Sequence, residues 1–337
     1  MDSRPLRWLA PLGLSVNRKR LGPRIVASAI ALAAVVIGVI WIGARLASVP
    51  AAALPPYNPN LDNGRAMFNA GGCASCHAIP NDDPDKVDRT RLGGGLALKS
   101  PFGTFYVPNI SPDPNDGIGA WTEADFVGAL WKGIGKGGRH LYPAFPYTSY
   151  HLMVLDDIRD LFAYLKTLPP VQGKARPHDL SFAFNWRPLL GVWKLLFLGN
   201  GTFVPDPTKS AQWNRGAYLV NGPGHCAECH SPRNAFGAVI ASERFAGGPS
   251  PDGNGWVPNI TPAGLGHTPS GDVHWTEQDL ASFFSDGMTP VGDFAGAAMT
   301  EVIRNISLLS AQDRAAMANY IVSLPPRRGP PPPPKRK

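Results

Sequence analysis

Two five-residue strings could carry chemistry: Cys73-Ala74-Ser75-Cys76-His77 and Cys226-Ala227-Glu228-Cys229-His230. Each reads C-x-x-C-H, the signature of covalent haem attachment. The two thiols form thioethers with the haem vinyl groups, and the adjacent histidine gives iron its proximal nitrogen. All four cysteines of the chain lie in these strings. A disulfide framework gives no reason for a histidine after each second cysteine. Structural zinc more often uses cysteine pairs without that histidine. A redox C-x-x-C pair belongs beside a βαβ pattern, which this sequence lacks. The expectation is two covalently bound haem c groups. Cys73, Cys76, Cys226 and Cys229 would attach them, and His77 and His230 would ligate iron.

The elements that must position these strings come in two copies. Val107-Pro108-Asn109-Ile110 recurs as Val257-Pro258-Asn259-Ile260, and Trp121-Thr122-Glu123 as Trp275-Thr276-Glu277. Leu168-Pro169-Pro170 recurs as Leu324-Pro325-Pro326. Each unit reads as a short helix before the motif (62–70, 211–220), a Gly/Pro loop, a helix from W-T-E (122–132, 276–286) and a final helix stopped by proline. Thr at the N-cap and an acid in the first turn support the W-T-E helices. Residues 156–168 carry Ile158, Leu161, Phe162 and Leu165 at helical spacing. The last helix, 310–324, opens Ser-Ala-Gln-Asp, close to a capping box, and buries Ala315, Met317, Ile321 or their neighbours. Gly 37 and Pro 36 together make about a fifth of the chain, which suits loop-wrapped helical domains and not a long-stranded sheet. The fold class is mainly α.

A six-coordinate carrier needs a second axial ligand on each iron, and methionine favours the ferrous state relative to a second histidine. Met299 lies 24 residues after Trp275, whereas the same step from Trp121 reaches Phe145, which cannot bind iron. Met299 is therefore the distal candidate for the second iron, ahead of Met288. For the first iron the candidates are Met153, His151 and His140, or an open site. Met67 reads as core. His225 sits beside the second motif, near the haem edge; His178, His267 and His274 read as solvated. Asn109 and Asn259 would bond a haem propionate or hold a turn. Trp121 and Trp275 read as core or haem-edge packing.

Residues 25–44 are uncharged, and a helix of that length spans about 30 Å, the hydrocarbon thickness of a bilayer. Arg18, Lys19, Arg20 and Arg24 precede the stretch and only Arg45 follows closely, so the N-terminus would face the cytoplasm. The stretch exceeds the roughly 7–15 residues of a signal-peptide core. An uncleaved single-pass anchor is expected, although Ala51-Ala52-Ala53 would suit cleavage. Either route exports the body, which places it in the periplasm of a bacterium. The net charge of +7 comes from the ends: residues 46–326 hold 20 basic and 24 acidic side chains. That leaves no basic patch for nucleic acid. The expected organisation is a basic cytoplasmic segment (1–24), a transmembrane anchor (25–45), a linker (46–60), a first domain (61–170), an inter-domain segment (171–206), a second domain (207–326) and a Pro-rich basic tail (327–337). Within the inter-domain segment, 188–198 is an apolar run too short to span a membrane. It would pack between the domains, or touch a membrane surface or a partner.

The block VPNISPDPNDGIGAWTEADFVGALWKGIGKGGRHLYPAFPYTSY, residues 107–150, resembles the multihaem cytochrome c subunits of membrane-associated bacterial dehydrogenases. These include the subunit of quinoprotein alcohol dehydrogenase and the diheme or triheme cytochromes of molybdenum-type aldehyde and nicotinate dehydrogenases. The resemblance covers about 58–326. It implies two class I cytochrome c domains in tandem, with a periplasmic dehydrogenase as electron donor and quinone, a soluble cytochrome or a terminal oxidase as acceptor. The alcohol dehydrogenase pattern has methionine where this chain has Phe145, and related cytochromes with phenylalanine there carry a methionine at the position of Met153. No paired carboxylates, nucleophile elbow or phosphate loop argue for side-chain catalysis. The rival is a diheme haem enzyme, thiosulfate dehydrogenase-like or peroxidase-like, working at the first haem.

Overall fold

The structure is a computed structural model that describes residues 54–266 and 274–332, with scattered positions between 22 and 38. Most of the anchor expected over 25–45 lies outside the described residues, as do 1–21, 46–53, the loop holding His267, and 333–337. Among the described residues no helix is long and apolar enough to cross a membrane.

The first repeat runs α1 (Leu61–Ala70), α2 (Cys73–His77), β1 (Ala97–Ser100), β2 (Gly103–Tyr106), α3 (Glu123–Lys132), β3 (Ile134–Gly135), β4 (Arg139–His140), α4 (Tyr147–Tyr150) and α5 (Leu155–Thr167). A connecting segment adds β5 (Asp179–Leu180) to β2 and then forms α6 (Leu189–Phe197). The second repeat runs α7 (Ala211–Asn221), a 3-10 turn at Cys226–Glu228, β6 (Gly248–Pro249), β7 (Trp256–Val257), α8 (Pro262–Leu265), α9 (Glu277–Asp286), α10 (Ala298–Ile306) and α11 (Ala311–Val322). The start signals read from sequence hold. Thr122 with Asp125 and Thr276 with Asp279 form complete capping boxes, and the Ser310 side chain caps α11.

In each repeat the first helix crosses the last, α1 on α5 and α7 on α11. Glycine permits the close approach. A Cβ on Gly64 would run into the Asp160 carbonyl, and one on Gly216 into the Ala316 carbonyl. Polar pairs flank each crossing: Asn63 Nδ2 donates to Asp157 and Asp160 at 2.7 Å, and Arg215 Nε donates to Asp313 at 2.7 Å. The predicted inner face of α5 is buried at Ile158, Leu161, Phe162 and Leu165, and Met67 is fully buried. On α11 the neighbour Ala316 is buried where Ala315 was expected, beside Met317 and Ile321.

The end of the linker is tied to the first repeat: Tyr57 Oη and the Asn60 amide both donate to Asp160. The tail is docked where it begins, since the Arg327 amide donates to Thr261 Oγ1 and Asn259 Nδ2 donates to the Arg327 carbonyl. One expectation is corrected: His178 is not solvated. Its Nδ1 accepts from the Tyr106 amide, Phe105 and Tyr142 meet its ring edge-on, and burial with nearby arginines pushes its pKa down to about 4. The small β1–β2–β5 sheet that holds it has no clear period in the sequence.

The crossings yield a prediction. Gly216→Ala sets a methyl against backbone that cannot give way, so stability should fall by about 1–3 kcal/mol. The readout is a lowered denaturation midpoint; an unchanged midpoint would contradict the close approach.

Candidate haem-attachment sites

The two motif histidines sit in matching environments. His77 Nδ1 lies 2.8 Å from the Pro108 carbonyl, and His230 Nδ1 lies 2.8 Å from the Pro258 carbonyl. A carbonyl only accepts, so each Nδ1 carries the proton and donates it, leaving Nε2 with a free lone pair. This is how a protein fixes a ligating imidazole's tautomer and ring plane. Burial pushes the His77 pKa down to about 4 and lowers that of His230, so both rings are neutral donors at ordinary pH.

The proline carbonyls are held by the rest of the duplicated strip. Gly94 and Gly247 amides donate to the His77 and His230 carbonyls at 2.8 and 2.9 Å. Asn109 Nδ2 donates to the Val171 carbonyl and its Oδ1 accepts from the Ser111 amide. Asn259 repeats this with the Arg327 carbonyl and the Thr261 amide. Of the two roles expected for these asparagines, the turn is realised, and it also straps the strip to the chain just beyond the final helix. Trp121 and Trp275 are half-buried against the core.

The distal candidates separate. Met153 is 1% exposed, inside the cluster that also holds Met67 and Ala74, and its carbonyl accepts from Trp131 Nε1. His151 Nδ1 instead bonds the Gly201 carbonyl, and His140 Nδ1 accepts from Lys194 Nζ. The connecting segment thus engages both histidines. Phe145 packs against Tyr147 and Tyr150. Met299 is half-buried in the first turn of α10, against the core, while Met288 is 47% exposed. Ala297, two residues before Met299, has φ of +51°, a strained conformation of the kind that persists where surrounding structure over-determines it.

The motifs also meet each other, which sequence reading missed. Glu228, inside the second motif, accepts from Thr148 and Ser149 of the first repeat and pairs with Arg233 at 2.8 Å. Ser75 holds the same place in the first motif and accepts from Asn305 of α10 at 2.6 Å. Each motif is therefore capped by the other repeat. Gly72 and His225, the residues just before the two motifs, are both left-handed, with φ of +57° and +40°. The second repeat accepts that strain without glycine. In return His225 reaches the first repeat: its Nε2 lies 3.3 Å from the Gly71 carbonyl, and its ring meets Tyr150 edge-on. The only sequence signals were the repeated proline and a charged residue inside one motif.

Two thiols, a neutral imidazole with Nε2 free and an apolar surround fit a covalently attached haem at each motif. Among the described residues no three His, Cys, Asp or Glu side chains converge as a mononuclear metal site.

Burial alone would raise the Glu228 pKa, but Arg233 and the hydroxyls of Thr148 and Ser149 outweigh it and hold the carboxyl below its usual 4.5. Glu228→Ala should cost about 3 kcal/mol by leaving buried donors and Arg233 unpaired. Because the folded pKa is depressed, the ionised carboxylate's contribution is complete above about pH 4.5 and disappears as pH falls through the lower folded value. The gap between the denaturant curves of wild type and variant should narrow in that acid range; a gap of the same size at every pH would refute the assignment.

Comparison with known proteins agrees with this geometry. The cytochrome c family model matches residues 61–169. A diheme cytochrome c-type protein of Cereibacter sphaeroides is 48% identical over 78% of this chain and 85% of its own length. A nicotinate dehydrogenase subunit of Pseudomonas putida is 42% identical over 78% of this chain but only 21% of its own length. The fructose dehydrogenase cytochrome subunit of Gluconobacter japonicus is 36% identical over 80% of this chain, which spans about half of that relative (53%). The chain belongs to the cytochrome c family, in the branch of diheme c-type cytochromes and the cytochrome c subunits of bacterial dehydrogenases.

Proposed function

We propose that the chain is a membrane-anchored periplasmic diheme cytochrome c that carries electrons from a dehydrogenase to the respiratory chain. The observation that carries this reading is the duplicated imidazole, with Nδ1 bonded to a proline carbonyl and Nε2 free. Haem c, when bound, supplies one-electron chemistry at iron. Cys73, Cys76, Cys226 and Cys229 attach the two groups, and His77 and His230 hold the proximal sides. Met299 serves the second iron. Met153 serves the first, because the connecting segment lies directly against Nε2 of both His151 and His140, at Gly199 and Gly191. The buried apolar cluster spanning both repeats excludes water and provides a low-dielectric shell. The adjoining motifs support transfer between the two groups within one chain.

The donor class follows from relatives named as dehydrogenase subunits. Quinone, a soluble cytochrome or a terminal oxidase would accept the electrons. The anchored periplasmic location rests on the uncharged stretch 25–44 and the basic residues before it. A diheme haem enzyme acting at the first site is the second reading, favoured only by Phe145 standing where the second repeat has Met299.

Two predictions separate these readings. The reduced protein should take up no carbon monoxide at either haem; uptake at one alone would favour the enzyme. Met299→Ala and Met153→Ala should each remove half of the sulfur-to-iron charge-transfer absorption and open one haem to carbon monoxide. A full-strength band in either variant would sink that ligand assignment.

A further inference from the structure

The helix α6 is built inside out. Its one charged residue, Lys194, is 8% exposed, whereas Leu195 and Leu196 are 71% and 70% exposed. Helical spacing puts Leu189, Val192, Leu195 and Leu196 on one outward arc. Loose packing does not explain this, because the inner face is pinned by polar bonds. Lys194 Nζ donates to the Gly133 carbonyl at the end of α3 and to His140 Nδ1. Arg187 Nη1 donates to the His140 carbonyl at 2.6 Å. Trp193 Nε1 donates to the Phe236 carbonyl, and Phe197 packs against the Phe236 ring, so α6 is also tied to the second repeat. The helix straps both repeats and holds its leucines outward. Just before it, Phe182 and Trp186 are 95% and 53% exposed.

Charge indicates what covers this face. Residues 171–209 hold five basic side chains (Lys174, Arg176, Arg187, Lys194, Lys209) against Asp179 and Asp206, a net of +3, or +2 with the inward-turned Lys194 set aside. The rest of 46–326 carries −7, since the whole is −4. A basic segment with outward leucines and aromatics, on an otherwise acidic body, is matched to an anionic lipid surface. The same chain supplies a reason for a bilayer to be near: residues 25–44 are uncharged and stand ten residues before Leu54, where the described body begins. Ten extended residues reach about 35 Å.

We propose that α6 and its flanking aromatics form a second lipid contact, lying in the headgroup region of an anionic bilayer and fixing the body's orientation on the membrane. The proposal rests on the anchored reading for the presence of the bilayer, but not for the contact itself. With the native cysteines occupied by thioethers, Leu195→Cys offers a single free thiol for a nitroxide label in the full-length holoprotein, and Asn254→Cys, on an exposed loop, serves as control. In phosphatidylethanolamine–phosphatidylglycerol liposomes, the label at 195 should show a several-fold loss of collision with a water-soluble nickel chelate and a gain with oxygen; the label at 254 should show neither. A label at 195 that stays as accessible as in detergent-free buffer overturns the proposal. So does protection that appears only when a dehydrogenase is added, which would make the face a protein interface. The anchored reading is scored separately: Leu195→Glu with Leu196→Glu should still float with liposomes. If that variant sinks while the label at 195 is protected in the parent, the anchor fails and the α6 contact stands.

Discussion

An imidazole can offer one nitrogen to iron in a fixed direction only if the other nitrogen's proton has a fixed place to go. Here that place is a proline carbonyl, and much of each repeat serves to hold it still. Pro108 and Pro258 lack an amide hydrogen, so neither competes for a donor role in the strip. The following asparagine ties that strip to the chain beyond the final helix. The final helix is located by its crossing with the first, which glycine makes close. The first helix leads directly into the motif. The path closes on itself: motif, strip, strap, final helix, first helix, motif. A fault at any link moves the ring plane of the histidine.

The sequence made the helical frame legible because its signals are local. Thr122, Thr276 and Ser310 cap helices using donors within three residues. Ile158, Leu161, Phe162 and Leu165 announce a face by spacing alone. The motif residues were equally legible, since their chemistry is written in adjacent positions. The role of Asn109 and Asn259 could be narrowed to two, but choosing between them needed partners more than sixty residues away. The packing of His178 depended on a small sheet assembled from strands of two to four residues, too short to show a period. The inward turn of Lys194 reverses the expectation that a charge faces water. It is overridden by a carbonyl and an imidazole from the first repeat, contacts that no local pattern encodes.

The repeats share a frame but differ where chemistry is tuned. Phe145 and Met299 occupy the same step after tryptophan, and Ser75 and Glu228 the same place within the motifs. The second repeat therefore carries a buried carboxylate beside its attachment site, balanced by Arg233, where the first has a neutral hydroxyl. Duplication preserved what holds the histidine and let the distal side and local charge diverge. Two groups of one chemical kind held at these motifs would meet unequal surroundings, the physical condition for a downhill step between them.

The mutual capping of the motifs has a consequence for how the chain comes apart. A cap that belongs to the other repeat cannot survive that repeat's unfolding. Opening the second repeat would strip Asn305 from Ser75, and opening the first would leave Glu228 facing Arg233 without Thr148 and Ser149. The mutual caps therefore couple the unfolding of the two copies, since neither can open without loosening the motif of the other.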